Sequence, residues 1–257
     1  MQKFLTVLLG ILLILLIFLG QTYWNQQNKA LSSDTPTSVK KEIIKQKYSS
    51  TELLKLTKNW PAEAVERFKQ SLKHNKPFKI LFVGSPAIGS DTEGAYAVVK
   101  QKLKETYGDH IDVQLKTFDM TSTQFISQNK QDEMVAEAAD LYIFEPFILE
   151  NNGEVLIENT LMDLATIMDT VKVANPESTM ILQPSYPLYN AKIYPRQVEE
   201  LKKYAETHQI TYLNHWTAWP DPATEEMKDY LNEDQSAPNE KGAQVWGDYI
   251  IQYFISK

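Results

Sequence analysis

The sequence predicts an α/β fold: a three-layer α/β/α sandwich with a five-stranded parallel sheet. Three observations carry that prediction. Short runs rich in β-branched and aromatic residues, such as residues 80–83 and 141–144, are too short for helices and read as strands. Between them lie helical patterns, as where Tyr96, Val98, Val99 and Leu103 recur with Lys100, Lys102 and Lys104 interleaved. The strand runs are continuously apolar, as expected of strands covered by helices on both faces. Right-handed crossovers then complete the three layers.

Taken in order, residues 51–56 predict a short helix. Pro61 opens a second helix to about His74, with Ala64, Val65, Phe68 and Leu72 on one face. The first strand starts at Lys79 and closes at Gly84, and a Gly-containing turn leads into the Tyr96 helix. Further strands are expected at residues 111–118, 140–147, 179–183 and 210–213. Helices are expected at 156–173, 195–208, 222–231 and 241–255. Asp132, Glu133 and Glu137 read as a solvated helix face. No internal repeat is present.

Two appendages precede this domain, which spans residues 48–257. Residues 4–19 are almost wholly Leu, Ile, Val and Phe, with Lys3 before them and Tyr23 and Trp24 after. No small-x-small site follows, so residues 1–24 read as a membrane anchor in preference to a cleaved signal peptide, which would leave the protein secreted. Lys3 orients the domain to the extracytoplasmic side. Residues 25–47 are polar, without apolar period, and read as a tether.

Composition removes several functions. A formal net charge of −7 argues against nucleic acid, which needs a basic face. With no cysteine there is no disulfide, thiolate catalysis or cysteine–zinc site. Gly84, Gly89 and Gly94 do not form a nucleotide loop, and scattered acids without a His pair form no recognisable metal site, so neither cofactor nor metal is expected. Any imidazole chemistry must use His74, His110, His208 or His215; His74, at a helix end beside Lys73, reads as a surface residue.

From about residue 79 to the end, the chain resembles the SGNH (GDSL-type) hydrolase family. Ile80-Leu-Phe-Val-Gly-Ser-Pro-Ala-Ile-Gly resembles the block in which a strand ends in Gly-Asp-Ser. Phe118-Asp-Met-Thr-Ser-Thr and Asp140-Leu-Tyr-Ile-Phe-Glu-Pro-Phe resemble the second and third blocks. Asp234-Gln-Ser-Ala-Pro-Asn-Glu-Lys-Gly242 resembles the final Asp-x-x-His-Pro-Asn-x-x-Gly block, with Asp234, Pro238, Asn239 and Gly242 in place. The resemblance implies a flavodoxin-like strand order 2-1-3-4-5, serine-esterase chemistry with an Asp–His pair, and acyl or acetyl esters of cell-envelope glycan or lipid as substrate class.

At the equivalent positions the chemistry is broken. Pro86 stands where the nucleophile is expected, with Ser85 one residue early. Met120 stands near the oxyanion glycine position, and Glu145, Pro146 and Phe147 surround the asparagine position. Ala237 occupies the histidine position, so of the triad only Asp234 remains. A serine without an adjacent base is not activated. If the protein is an enzyme, Ser85 would be nucleophile, Glu145 or His215 the base, and Asp234 and Asn239 supporting groups. The alternative for Glu145 is a buried acid bonded to backbone amides; for His215 it is packing against Trp216 or Trp219. Tyr186, Trp216 and Trp219, in loops beyond the fourth and fifth strands, are candidate sugar-stacking residues or ordinary core aromatics. Two functions are thus expected: a tethered esterase or deacylase with a degenerate catalytic set, or an inactive glycan- or protein-binding module on the same fold.

Overall fold

The structure is a computed structural model that describes residues 48–256 of the 257. The expected anchor over residues 1–24 and the tether over 25–47 lie outside the described residues. Among the described residues, no helix is long and apolar enough to cross a membrane.

Five parallel strands form one sheet in the order β2-β1-β3-β4-β5, as the resemblance implies. They are β1 (Phe78–Gly84), β2 (Ile111–Thr117), β3 (Leu141–Phe144), β4 (Thr179–Leu182) and β5 (Thr211–Tyr212). The central pair is in register Ile80 with Leu141 through Val83 with Phe144. Phe78, Ile80 and Phe82 bury one face of β1, and Leu81 and Val83 bury the other. That two-sided burial is the physical reason the strand reads as apolar throughout.

One layer holds α1 (Ser50–Lys55), α2 (Ala62–His74), α3 (Gly94–Tyr107) and, last in the chain, α8 (Glu240–Phe254). The other holds α4 (Ser122–Ser127), α5 (Gln131–Ala136), α6 (Ile157–Ala174) and α7 (Tyr194–Thr207). The first layer's core centres on Trp60, which packs against Phe68, Phe78, Tyr107 and Phe254 at 5.2–5.9 Å between ring centroids. Its indole N–H donates to the Phe254 carbonyl, and Ser256 N–H donates to the Leu56 carbonyl. The start of the domain is thereby tied to its end, at the amino-terminal side of the sheet.

The differences from expectation have local causes. β3 is shorter than residues 140–147 because Glu145 turns away and Pro146 has no N–H for the ladder. Residues 225–230 form a 3₁₀ turn in place of a helix over 222–231. Helices α4 and α5 are each six residues long, too short to show a period; Thr121 caps α4 through a reciprocal box with Gln124. Asp132 and Glu133 are exposed as expected, but Glu137 is half-buried and faces Lys116 at 3.0 Å and Lys79 at 4.0 Å.

Gly242, in the first turn of α8, permits a close approach. A Cβ there would lie 2.2 Å from the Tyr230 carbonyl oxygen and 3.0 Å from the Trp219 ring. Alanine in a helix normally gains about 1 kcal/mol over glycine. Here the clash reverses the sign: Gly242→Ala destabilises the protein by about 1–3 kcal/mol, visible as a lowered midpoint in thermal denaturation followed by circular dichroism.

Candidate functional site

The carboxyl ends of β1, β3 and β4 converge on a buried polar group. Ser85 follows β1 directly and is fully buried, as is Glu145, which follows β3. The Ser85 N–H donates to Glu145 Oε2 at 2.9 Å, and the Ser85 hydroxyl donates to the same oxygen at 2.8 Å. Gly84 makes this contact fit: a Cβ on it would lie 2.6 Å from Glu145 Oε2 and 2.8 Å from Glu145 Cβ. The following turn is strained, since Phe147, buried and bulky, has φ +57°. Its N–H bonds back to the Glu145 carbonyl at 2.9 Å and so fixes the acid's backbone.

The electrostatics follow from burial. With no counter-ion against it among the described residues, Glu145 is pushed up from 4.5 to about 7, chiefly by desolvation. The two Ser85 bonds act in the opposite direction, and the nearby Glu150 adds to the rise. The Ser185 hydroxyl also faces this carboxyl, outside hydrogen-bonding geometry, and Glu145 Oε1 has no partner among the described residues. Near neutral pH the carboxyl is therefore partly protonated.

His215 is brought near the same region but is committed elsewhere. It is fully buried and stacks on Trp246, with ring centroids 4.6 Å apart. Its Nδ1 accepts from the Trp219 indole N–H at 3.0 Å, which leaves Nε2–H to donate to the Pro184 carbonyl at 2.9 Å. Burial lowers its pKa from 6.5 to about 3, so it stays neutral. Neither ring nitrogen bonds to Ser85, and packing against Trp219 is the role the geometry gives it.

The other expected residues are dispersed. Asp234 is exposed and accepts from the Ser236 hydroxyl at 2.6 Å and its N–H at 3.0 Å, which hold its carboxyl below the usual range. It contacts neither His215 nor Ser85. Asn239 caps α8: its Oδ1 accepts from Gly242 N–H, and its Nδ2 donates to the carbonyls of Asp229 and Leu231. The aromatics expected at the rim are packed inside it. Tyr186 and Trp219 are buried, and Trp216 is half-buried against Tyr194 with its N–H on the Ser185 carbonyl. Tyr186 and Trp219 thus offer no open ring face for stacking.

Sequence reasoning missed two features. Gln183 and Ser185 are buried beside Glu145, and their signal was a polar residue directly continuing an apolar strand. Asn151, also buried, accepts from the Ser122 N–H and donates to the Ser122 and Thr160 hydroxyls, locking the loop after β3 to α4 and α6.

The chemistry this arrangement allows is narrow. A carboxyl titrating near 7 is a competent proton acceptor for a bonded hydroxyl. The Ser85 N–H, however, is consumed by Glu145, and Pro86 has no N–H, so neither residue supplies an oxyanion donor. Pro86 and Ala237 face a groove of about 910 Å³ that runs along α3, from Gly94 to Lys104, and past the start of α8. The two residues at the expected nucleophile and base positions therefore share one concavity, and neither carries a reactive group.

No protein-family model matches the sequence, and no curated protein matches it. Solved structures do. The chain is similar to a protein of the G-D-S-L family from Desulfitobacterium hafniense DCB-2, with TM-score 0.56 and 18% identity over 68% of this chain and 99% of that one. It is similar to Axe2, an acetylxylan esterase from Geobacillus stearothermophilus, with TM-score 0.52 and 15% identity over 68% and 93%. A GDSL-like lipase from Bacteroides thetaiotaomicron VPI-5482 gives TM-score 0.51 and 16% identity over 75% and 98%. The fold is that of the SGNH (GDSL-type) hydrolases.

Glu145 gives this site a distinct pH signature. The folded protein keeps the carboxyl protonated up to about pH 7, whereas the unfolded chain ionises it near 4.5. In that window the folded state binds more protons, so Glu145 makes stability fall as pH rises. His215 acts oppositely: the unfolded state protonates it below 6.5 and the folded state does not, so its contribution is lost as pH falls. The stability of Glu145→Gln relative to the unsubstituted protein is therefore expected to rise by about 3 kcal/mol between pH 4 and pH 8. Urea denaturation across that range measures it, and a pH-independent difference contradicts it.

Proposed function

We propose that this is a membrane-tethered, extracytoplasmic protein of SGNH-hydrolase fold that holds a cell-envelope ligand without cleaving it by the Ser–His–Asp reaction. The observation that carries this reading is the state of Ser85. The hydroxyl at the end of β1 is fully buried, and its O–H and N–H are both bonded to a buried acid. The broken positions around it support the same reading. Pro86 has no hydroxyl, Ala237 has no proton acceptor, and the one buried imidazole is held by Trp219 and Pro184. The apolar run over residues 4–19 supports the tether. The assignment of an envelope ligand rests on fold-level analogy with proteins described as an acetylxylan esterase and a GDSL-like lipase.

A second reading is favoured by one specific contact. The 2.8 Å bond from Ser85 to Glu145 has the geometry of a nucleophile and its base, and the carboxyl's pKa of about 7 suits that task. On this reading the protein is an esterase of envelope acyl or acetyl esters, with Ser85 as nucleophile and Glu145 as base.

The two readings separate on the full-length protein in detergent. We expect p-nitrophenyl acetate turnover at the level of the buffer blank, unchanged by Ser85→Ala, and no labelling by a fluorophosphonate. Turnover that falls by about 10³-fold or more in Ser85→Ala, together with labelling of Ser85, replaces the first reading with the second. The tether is tested apart from this: the full chain is expected to stay in the membrane fraction after alkaline carbonate washing, and its release contradicts the anchor.

A further inference from the structure

The groove that begins at Pro86 and Ala237 is longer than the site it borders. Through Asp91, Lys100 and Lys104 it continues into a second concavity of about 490 Å³ along β2. Through Asn239, Glu240 and Gln244 it continues into a third, of about 630 Å³, that ends at Tyr230. The wall on α3 alone, from Gly94 to Lys104, is ~15 Å long at 1.5 Å per residue. A ligand that filled this path would be extended.

The lining restricts what that ligand is. Three lysines, Lys100, Lys104 and Lys241, stand against four acids, Asp91, Glu93, Asp112 and Glu240. Lys100 is already paired with Asp91 at 2.5 Å, and Lys104 is held by the Ile111 carbonyl at 2.7 Å. A polyanion such as nucleic acid or polyphosphate would meet no net positive field here. An extended peptide would pair with an open strand edge; the outer edge of β2, the sheet's edge strand, borders only the second concavity, and the main groove lies along two helices and offers no strand edge. An acyl chain would need an enclosed apolar slot, whereas exposed Gln101 and Gln244 stand on the two walls. What remains is a neutral chain rich in hydroxyls. The walls present amides preorganised by neighbouring carboxylates, Gln101 by Glu105 and Gln244 by Asp248, both at 2.9 Å. The floor presents small apolar faces at Ala87, Ala97 and Pro238. Sugar rings carry both kinds of surface.

We propose that the groove between α3 and α8 binds a linear, uncharged polysaccharide along its length. This rests on the reading of the protein as an envelope-binding module and names its ligand class and its site. The site lies on the outer flank of the two helices and does not use the buried Ser85–Glu145 pair.

The test uses the full-length protein in detergent and three linear hexasaccharides: cellohexaose, xylohexaose and chitohexaose. Titration calorimetry is expected to detect saturable binding of at least one. Ala97→Trp, which fills the floor, and the double variant Gln101→Ala/Gln244→Ala are each expected to weaken it by about tenfold or more. Thr166→Trp, on exposed α6, is expected to leave it unchanged. Circular dichroism melts separate a filled groove from an unfolded one, and the double variant changes only exposed side chains. Binding of none of the three sugars overturns the proposal. So does binding that both groove variants leave intact, or preferential binding of a polyanion that the groove variants weaken. Ester turnover that depends on Ser85 would instead overturn the non-catalytic reading while leaving the groove result to stand or fall separately.

Discussion

The site is organised by a single buried hydrogen-bonded pair across the seam between β1 and β3. Ser85 gives Glu145 both of its protons, and Glu145 takes them on one oxygen. A buried acid without a cation is costly, and it persists only where the surroundings hold it in place. Here three features do so. Gly84 leaves space for the carboxyl, Pro146 ends the β3 ladder so that the acid can turn inward, and the strained Phe147 fixes the backbone beyond it. Each is a feature of sequence whose physical purpose is visible only once the two strands lie side by side.

The same pair sets this site apart from the arrangement that an activated serine needs. Nucleophilic catalysis needs an accessible hydroxyl, a base and free N–H donors for the oxyanion. At this site the hydroxyl is enclosed, the N–H is spent on the acid, and the next residue is a proline. Three of the residues expected at the site have structural duties instead. Asn239 caps α8, Asp234 braces its own turn through Ser236, and His215 fills a slot between Trp246 and Trp219. None of these duties depends on chemistry at β1, so the sheet and its two helical layers are intact without it.

Much of the fold was legible because parallel strands buried on both faces write themselves as unbroken apolar runs. Residues 80–83 and 141–144 gave the two central strands, and the spacing of Tyr96, Val99 and Leu103 gave the helix between the first two strands. Short elements were less visible: α4 and α5 have too few residues to show a period, and residues 225–230 form a tighter turn than their composition implied. At the site, Ser85 and Glu145 were legible as neighbours because strand order follows from the family resemblance. The rim was not. Tyr186 and Trp219 read equally as exposed platforms or core, and only three-dimensional packing decides. The groove between α3 and α8 was invisible in sequence, since its walls come from segments some 150 residues apart and carry no motif.

The account depends on Glu145 being enclosed, with its carboxyl pushed up to about 7 and so partly protonated near neutral pH. The most direct measurement is the carboxyl carbon shift of Glu145, followed by ¹³C NMR across pH in the intact protein and assigned by comparison with Glu145→Gln. A titration midpoint near 7 is predicted, from burial against Ser85. A midpoint near the ordinary 4.5 would mean a solvated carboxylate and an open Ser85, and would contradict the closed Ser85–Glu145 pair described above.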